Sequence, residues 1–399
     1  MSEGWLDVRS LPLQPGHGRH SEHQLLSHHD HSHQGGHAQM LRSWIWRDFA
    51  NITLGLWLIA SPSTLGLWHT SPLLAWSDTA SGVAVVGLGV LTLLPRFDLA
   101  RWGICTIGLW LLFAPLVFWT PSPGAYANDT LVGSLLIAFS VLVPMMPGRS
   151  HHEVMAAPGP DTPPGWSYNP SDWTQRGPII AMAFVGFFLS RYLAAYQLKH
   201  TPYPWDPFFG DGTQRVLDSD ISKAWPVSDA GLGAASYMIE ALSGFMGGRN
   251  RWRTMPWMVV MFGVLVVPLG IVSIVLVVLQ PVAVGAWCAL CLVTAAAMLI
   301  MVSPAIDEVV AMGQFLAAAR REGKPLWRTF WLGGTLSGYG AERDPPEESS
   351  RSSGARVFSA LDLNNIPWNM ALSAAIGIWL MAAPSILGAT GRAADSGHV

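Results

Sequence analysis

The chain has 399 residues, half of them hydrophobic and 12% charged, with a formal net charge of −3 at pH 7. Its cations are scattered between apolar segments, which excludes the basic footprint of a nucleic-acid-binding protein. Apolar runs of roughly 16 to 26 residues recur, the length needed to cross a hydrocarbon core of about 30 Å, so the sequence predicts an all-α, polytopic membrane protein with about nine transmembrane helices.

Residues 1–40 are polar, and His17 to His37 hold eight of the thirteen histidines, including His28-His29-Asp30-His31-Ser32-His33. No short basic stretch leads into an apolar one, so no cleavable signal peptide is expected. Imidazole-rich tracts bind zinc, copper or nickel loosely, but this spacing defines no tetrahedral set. A disordered, metal-sticky tail and a metal sensor are the two readings, and no metal site is assigned.

Four spans are expected next, near Phe49–Trp68, Ala80–Leu94, Gly103–Trp119 and Thr130–Met146, making a unit over 41–148. Residues 149–177, with Pro158, Pro160, Pro163 and Pro164, read as a linker. A central four-helix bundle over 178–304 follows, with spans at Pro178–Leu198, Gly231–Gly247, Met255–Gln280 and Val282–Val302. Residues 305–358 begin as an amphipathic helix and become charged and Ser-rich, a cytoplasmic connection to a last span at Ile366–Gly388 within 359–399. Lys and Arg alternate between successive connections, which puts the N-terminus in the cytoplasm. In a bacterial cell membrane the outer face opposite is the oxidising one.

That outer face receives Trp287-Cys288-Ala289-Leu290-Cys291 at the start of the fourth bundle span. Two thiols at i and i+3 share a helical face and can close into a disulfide, while a helix N-terminus stabilises a thiolate. A redox pair inside a membrane implies a lipid-soluble electron partner. Zinc on Cys288 and Cys291 would need two further ligands, and no histidine lies in the four central helices.

Three segments share Gly-[Leu/Ile]-Trp-Leu-x-x-[Ser/Ala]-Pro without a gap: Gly55 to Pro62, Gly108 to Pro115 and Gly377 to Pro384. A small residue permits close helix approach, Trp suits the interfacial belt and Pro limits the helix. In the first two copies a second apolar helix follows the loops holding Asp78 and Asp129; the third copy reaches Asp395 and stops at Val399, so a truncated or atypical C-terminus is expected. These repeats resemble the SPW-repeat integral membrane family, two copies in 41–148 and a partial one in 359–399. The resemblance implies an architecture: a binding platform, a helical buttress or an oligomerisation surface.

The central block resembles a vitamin K epoxide reductase domain. The matching segments are Leu189-Ser190-Arg191-Tyr192-Leu193-Ala194, Arg215-Val216-Leu217-Asp218-Ser219, Gly233-Ala234-Ala235-Ser236-Tyr237, Arg251-Trp252 and Cys288-Ala289-Leu290-Cys291-Leu292-Val293-Thr294. The resemblance implies a quinone, menaquinone or ubiquinone, beside the Cys-x-x-Cys, with reducing equivalents passing from the thiols to it. Carried over, Cys291 is the quinone-facing thiol and Cys288 the one that exchanges with an incoming dithiol, from a thioredoxin-like periplasmic or extracellular partner. Ser219 and Asp229 match positions close to the quinone, and Tyr237 and Trp287 complete the quinone-binding set. The family commonly has Asn where Asp229 stands; a protonated carboxyl would donate to a quinone oxygen, and the alternatives are a helix N-cap or a solvated loop residue.

The chain departs from the family in its outer loop, which normally supplies a second cysteine pair. Thr213 occupies the matching position and residues 199–230 hold no cysteine; the remaining thiol, Cys105, lies in a repeat helix and reads as a small buried apolar residue. Either a partner or small thiol attacks the Cys288–Cys291 disulfide directly, or turnover is lost and a quinone-shaped pocket remains. Leu217, Ile221, Ala224 and Trp225 form an apolar stripe that predicts a short interfacial helix over the site, a lid or a packing element. Arg191 and Glu240, both within apolar spans, are expected to pair, as a lock between the first two bundle helices or a proton route to the quinone. The reading is a membrane oxidoreductase coupling Cys-x-x-Cys disulfide formation to quinone reduction. Its alternative is a catalytically silent membrane scaffold that assembles partners through the repeats.

Overall fold

A computed structural model describes residues 46–94, 97, 99–141 and 159–336. The histidine-rich tail, much of the Pro-rich linker, the Ser-rich stretch and the third repeat with its span Ile366–Gly388 lie outside the described residues. The described residues from Asp48 onward belong to one unit. Every regular element among the described residues is helical, so the chain is an all-α, multi-pass membrane protein.

Five of these helices are long and apolar enough to cross a membrane: Pro72–Thr92, Ala100–Val117, Trp173–Gln197, Pro256–Val284 and Ala289–Arg321. Three further expected spans coincide with shorter or more polar helices. They are residues 48–64, Pro123–Val141 with Asn128 and Asp129, and the 17-residue Asp229–Phe245 with Asp229 and Glu240.

The two repeats are helical hairpins built on glycine contacts. A Cβ on Gly82 would stand 2.6 Å from the Gly55 carbonyl oxygen, and one on Gly133 would stand 2.6 Å from that of Gly108, so in each hairpin only glycine lets the backbones meet. The hairpins then pack on one another through Leu58, Val85, Ile104, Leu111, Val132 and Leu136. The repeat tryptophans cross between them: Trp57 Nε1 donates to Asn128 Oδ1 at 2.7 Å, and Trp110 Nε1 donates to Ser77 Oγ at 2.9 Å.

The bundle starts with Trp173–Gln197 packed along Asp229–Phe245, where Gly186 faces the Tyr237 ring and Gly244 faces Ile180. Arg176 closes the second helix, with its guanidinium on the carbonyls of Gly244, Met246 and Gly247, the basic C-terminal cap that the helix dipole favours. The third bundle helix, Pro256–Leu279, ends in a π-turn, Gln280–Val284, and Gly285 at φ 68° reverses the chain. The span expected at Val282–Val302 is therefore displaced: the fourth helix begins at Ala289 and runs unbroken to Arg321, absorbing the start of the expected linker.

At the end of the bundle opposite the cysteines, Arg251 and Glu308 form a buried two-point ion pair at 2.5 Å, with Ser171 Oγ also donating to Glu308. The repeats join the bundle through a core that mixes Leu112 and Ile137 with Ala183, Phe187 and Ala241. At the cysteine end, Trp119 Nε1 donates to the Pro226 carbonyl and His200 Nε2 meets the Thr120 carbonyl, each at 2.9 Å.

Candidate functional site

The cysteine pair sits where the fourth helix begins. Cys288 and Cys291 are disulfide-bonded with Cα atoms 5.2 Å apart, an ordinary separation for the bond. Cys288 is the extended residue before the helix, and its Sγ accepts the Cys291 N–H at 3.1 Å. Gln280 reaches back from the π-turn, its Oε1 accepting the Cys288 N–H at 2.9 Å. The sharp turn at Gly285 makes this side-chain cap possible.

The outer loop is fastened over the buried Cys288. Asp206 is the hub: Oδ1 accepts the Phe208 and Phe209 N–H groups at 2.9 Å, and Oδ2 accepts Thr213 Oγ1 at 2.6 Å and the Ala289 N–H at 3.2 Å. Thr213, at the position where the family resemblance expects a cysteine, thus links the short helix Gly212–Asp218 through Asp206 to the first turn of the fourth bundle helix. Gly212 lies against the Trp287 carbonyl, where any Cβ would collide with backbone. Cys288 is 0% exposed, so the side of the disulfide expected to meet a dithiol is covered in this structure.

The other side is open. A cavity of about 330 Å³ is bounded by Cys291, Thr294 and Met298 of the fourth helix, Tyr237 and Asp229 of the second, Leu269 to Gln280 of the third and Ser219 to Trp225 of the outer loop. Val272, Leu276 and Trp225 line it and are also exposed on the outside of the protein, so it communicates with the surface of the bundle. Its size and its mostly apolar wall with a few polar groups are those of a small-molecule site.

Cys291, Ser219, Asp229 and Tyr237 all line this cavity. Trp287 does not: it packs with Val277, Leu292, Ala295 and Phe209 behind the lining. The Tyr237 hydroxyl donates to the Thr294 carbonyl at 2.7 Å. Ser228, not Asp229, is the helix N-cap, its Oγ accepting the Gly231 N–H. Asp229 instead accepts from Gln197 Nε2 at 2.5 Å and from Ser222 Oγ at 2.9 Å, tying the outer loop to the first and second bundle helices.

Two expectations are corrected. The loop helix ends at Asp218, because Ser219 turns to extended backbone (φ −64°, ψ 154°) and bonds the Val216 carbonyl; Ile221 and Trp225 reach the cavity from turns, and Ala224 does not line it. Arg191 and Glu240 do not pair. Arg191 points to the repeats, donating to Thr130 Oγ1 at 2.9 Å with its guanidinium 4.2 Å over the Tyr126 ring, and both Glu240 carboxyl oxygens are buried without a partner.

Sequence reasoning missed Gln280, Asp206 and Gln197. Only Gln280 carried a signal, a lone amide ending an otherwise apolar span; the other two act through contacts across 83 and 32 residues.

Against known proteins, the model of the vitamin K epoxide reductase family matches residues 178–306, and that of the SPW repeat domain matches residues 45–143. The SPW repeat match lies upstream of the vitamin K epoxide reductase match along the chain. No curated protein and no solved structure matches it.

Proposed function

We propose that the bundle is a quinone-linked thiol–disulfide oxidoreductase, in which the Cys288 and Cys291 thiols reduce a membrane quinone. The observation that carries this reading is that Cys291, bonded to Cys288, forms part of the wall of a mostly apolar cavity reaching the surface of a membrane-embedded bundle. The family match over the same helices supports a redox enzyme of this class.

A quinone supplies a two-electron, two-proton acceptor. The two thiols together give up two electrons and two protons, one S–S bond forms, and the acceptor leaves as a quinol. This chain's contribution is to hold the sulfurs together, exclude water and present polar groups. The apolar side chains of the third helix form the greasy wall, and Ser219, Asp229, Tyr237 and Gln280 are the polar positions suited to orienting ring oxygens. Cys288, under the outer loop, serves as the resolving thiol, and reduction of the disulfide by a thioredoxin-like dithiol requires that loop to lift. We place the site at the outer face of a bacterial cell membrane with the N-terminus inside, from the distribution of Lys and Arg.

The test is alkylation trapping of Cys288 and Cys291 in reduced membranes, with and without added menaquinone or ubiquinone. Quinone-dependent loss of both free thiols is expected; thiols that stay reduced in excess quinone, while a known quinone-linked oxidase turns over, overturn the reading. The burial of Cys288 and the hydroxyl of Thr213 where the family has a thiol favour a second reading, a catalytically silent scaffold built on the repeats. That outcome is the one in which the pair never cycles.

A further inference from the structure

The repeat domain carries a pair of carboxyls that the redox reading leaves unused. Asp78 lies on Pro72–Thr92 and Asp129 on Pro123–Val141, each four residues before the glycine that meets its partner helix, Gly82 and Gly133. They occupy the same place in the two copies. The crossed tryptophan bonds reach the residue just before each of them, Ser77 and Asn128, so the turn of helix that bears each acid is tied to the other repeat's indole. Buried clusters that take side chains from both of their helices flank the acids, Ala75 with Ala125 in one and Val85 with Val132 in the other.

Both residues are 0% exposed. Asp129 Oδ1 accepts from Asn128 Nδ2 at 3.1 Å, whereas Asp129 Oδ2 and both oxygens of Asp78 are buried with no hydrogen-bond partner. The charged and titratable groups around them are committed elsewhere. Arg191, from the first bundle helix, is held by Thr130 and the Tyr126 ring, and His200 meets the Thr120 carbonyl. On the repeats themselves, Arg101 pairs with Asp48 at 3.2 Å, His69 lies in the short helix Leu67–Thr70, and Cys105 packs in the bundle core. Above and below the acids the packing is apolar, through Leu74, Ala75 and Ala114 on one side and Leu58, Val85 and Leu111 on the other.

Two carboxylates buried without a cation in one membrane domain, with three of their four oxygens lacking any donor, are strongly unfavourable, because each lacks solvent and like charges in one domain repel. Positive charge must come from a bound ion. Among the described residues no group of three or more His, Cys, Asp or Glu is placed to hold a metal ion. A proton needs only an oxygen lone pair.

We propose that Asp78 and Asp129 form a proton-binding site shared by the two repeats, with the pair taking up and releasing protons as a unit within the membrane. The ligand is the hydrogen ion itself, and the site is independent of the thiol chemistry. It also needs both copies of the repeat, since each contributes one carboxyl and one anchoring indole.

The experiment is infrared spectroscopy of the full-length protein in lipid nanodiscs near neutral pH, comparing wild type with Asp78→Asn, Asp129→Asn and the double variant. Wild type is expected to show a carbonyl stretch of protonated carboxylic acid that the double variant lacks, that disappears at alkaline pH, and that is unchanged when choline replaces sodium. Identical wild-type and double-variant spectra overturn the proposal, and so does a band that appears only when sodium is removed, which assigns the site to that cation. Should the double variant not fold, solid-state NMR of ¹³C-aspartate-labelled wild type decides without it. Protonated-carboxyl resonances that titrate together support the pair, and a spectrum of ionised aspartates alone refutes it.

Discussion

The glycine contact between the first two repeat helices gives a sharp quantitative test. In Gly82→Ala the new Cβ would stand 2.6 Å from the Gly55 carbonyl oxygen, 2.8 Å from Ile59 Cγ1 and 2.9 Å from the Ile59 nitrogen. Real Cβ atoms essentially never approach closer than 3.0 Å, and two of these three obstacles are backbone. The helices must part by roughly 0.4 Å, loosening Leu58 and Val85 along with them. Overpacking of this kind costs about 1–3 kcal/mol, while Gly→Ala in a helix regains up to about 1 kcal/mol of propensity. Gly87, on the same helix with nothing within 4 Å of its ideal Cβ, isolates the second effect. Because propensity is common to both variants, Gly82→Ala is expected to be less stable than Gly87→Ala by about 1–3 kcal/mol. The assay is reversible unfolding of the purified protein in mixed micelles under graded denaturing detergent. Equal stability of the two variants would refute the claim that backbone contact holds the hairpin together.

Other expectations follow from contacts already described. Glu308→Ala strands the buried Arg251 guanidinium and should destabilise the protein by about 3–5 kcal/mol in the same unfolding assay, whereas Arg251→Met with Glu308→Leu should recover most of the loss. Asp206→Ala unfastens the outer loop, and loss of about 1–3 kcal/mol of loop closure should speed maleimide labelling of Cys288, in a Cys291→Ser background, by roughly 5–150-fold, with buried Cys105 as the unreactive reference. Gln280→Leu removes the acceptor for the Cys288 N–H and a polar group from the cavity, and stopped-flow thiol oxidation by quinone should slow about tenfold, the effect of roughly 1.4 kcal/mol.

Much of this architecture is written in the chain's periodicity. Long apolar runs need helices to satisfy their backbone in lipid, so Trp173–Gln197 and Pro256–Leu279 fall within a few residues of where hydropathy puts them. The Gly-x-Trp repeat announces its hairpins because glycine spacing and close approach are the same fact. The Cys-x-x-Cys was legible for a similar reason, since three residues fix the reach of two sulfurs. What failed depends on rotation and long-range approach. Depth along the membrane normal suggested that Arg191 meets Glu240, but depth says nothing of which way a helix faces, and Arg191 is turned to the repeat domain. The stripe from Leu217 to Trp225 has helical spacing, yet the Ser219 hydroxyl competes for the Val216 carbonyl and stops the helix. Asp206 and Gln197 had no local signature, because their partners are supplied by other elements.

The helix carrying the disulfide is 33 residues long, about 50 Å from end to end. Its lower half is clamped where Glu308 is gripped by Arg251 and Ser171, and Pro304, just above that clamp, interrupts the ladder of backbone bonds. A rod with a fixed foot and a soft joint can only sway at its tip. Under the proposed redox reading, any movement that accompanies opening of the sulfur bridge is confined to the cysteine end of the helix, and the clamped end stays still.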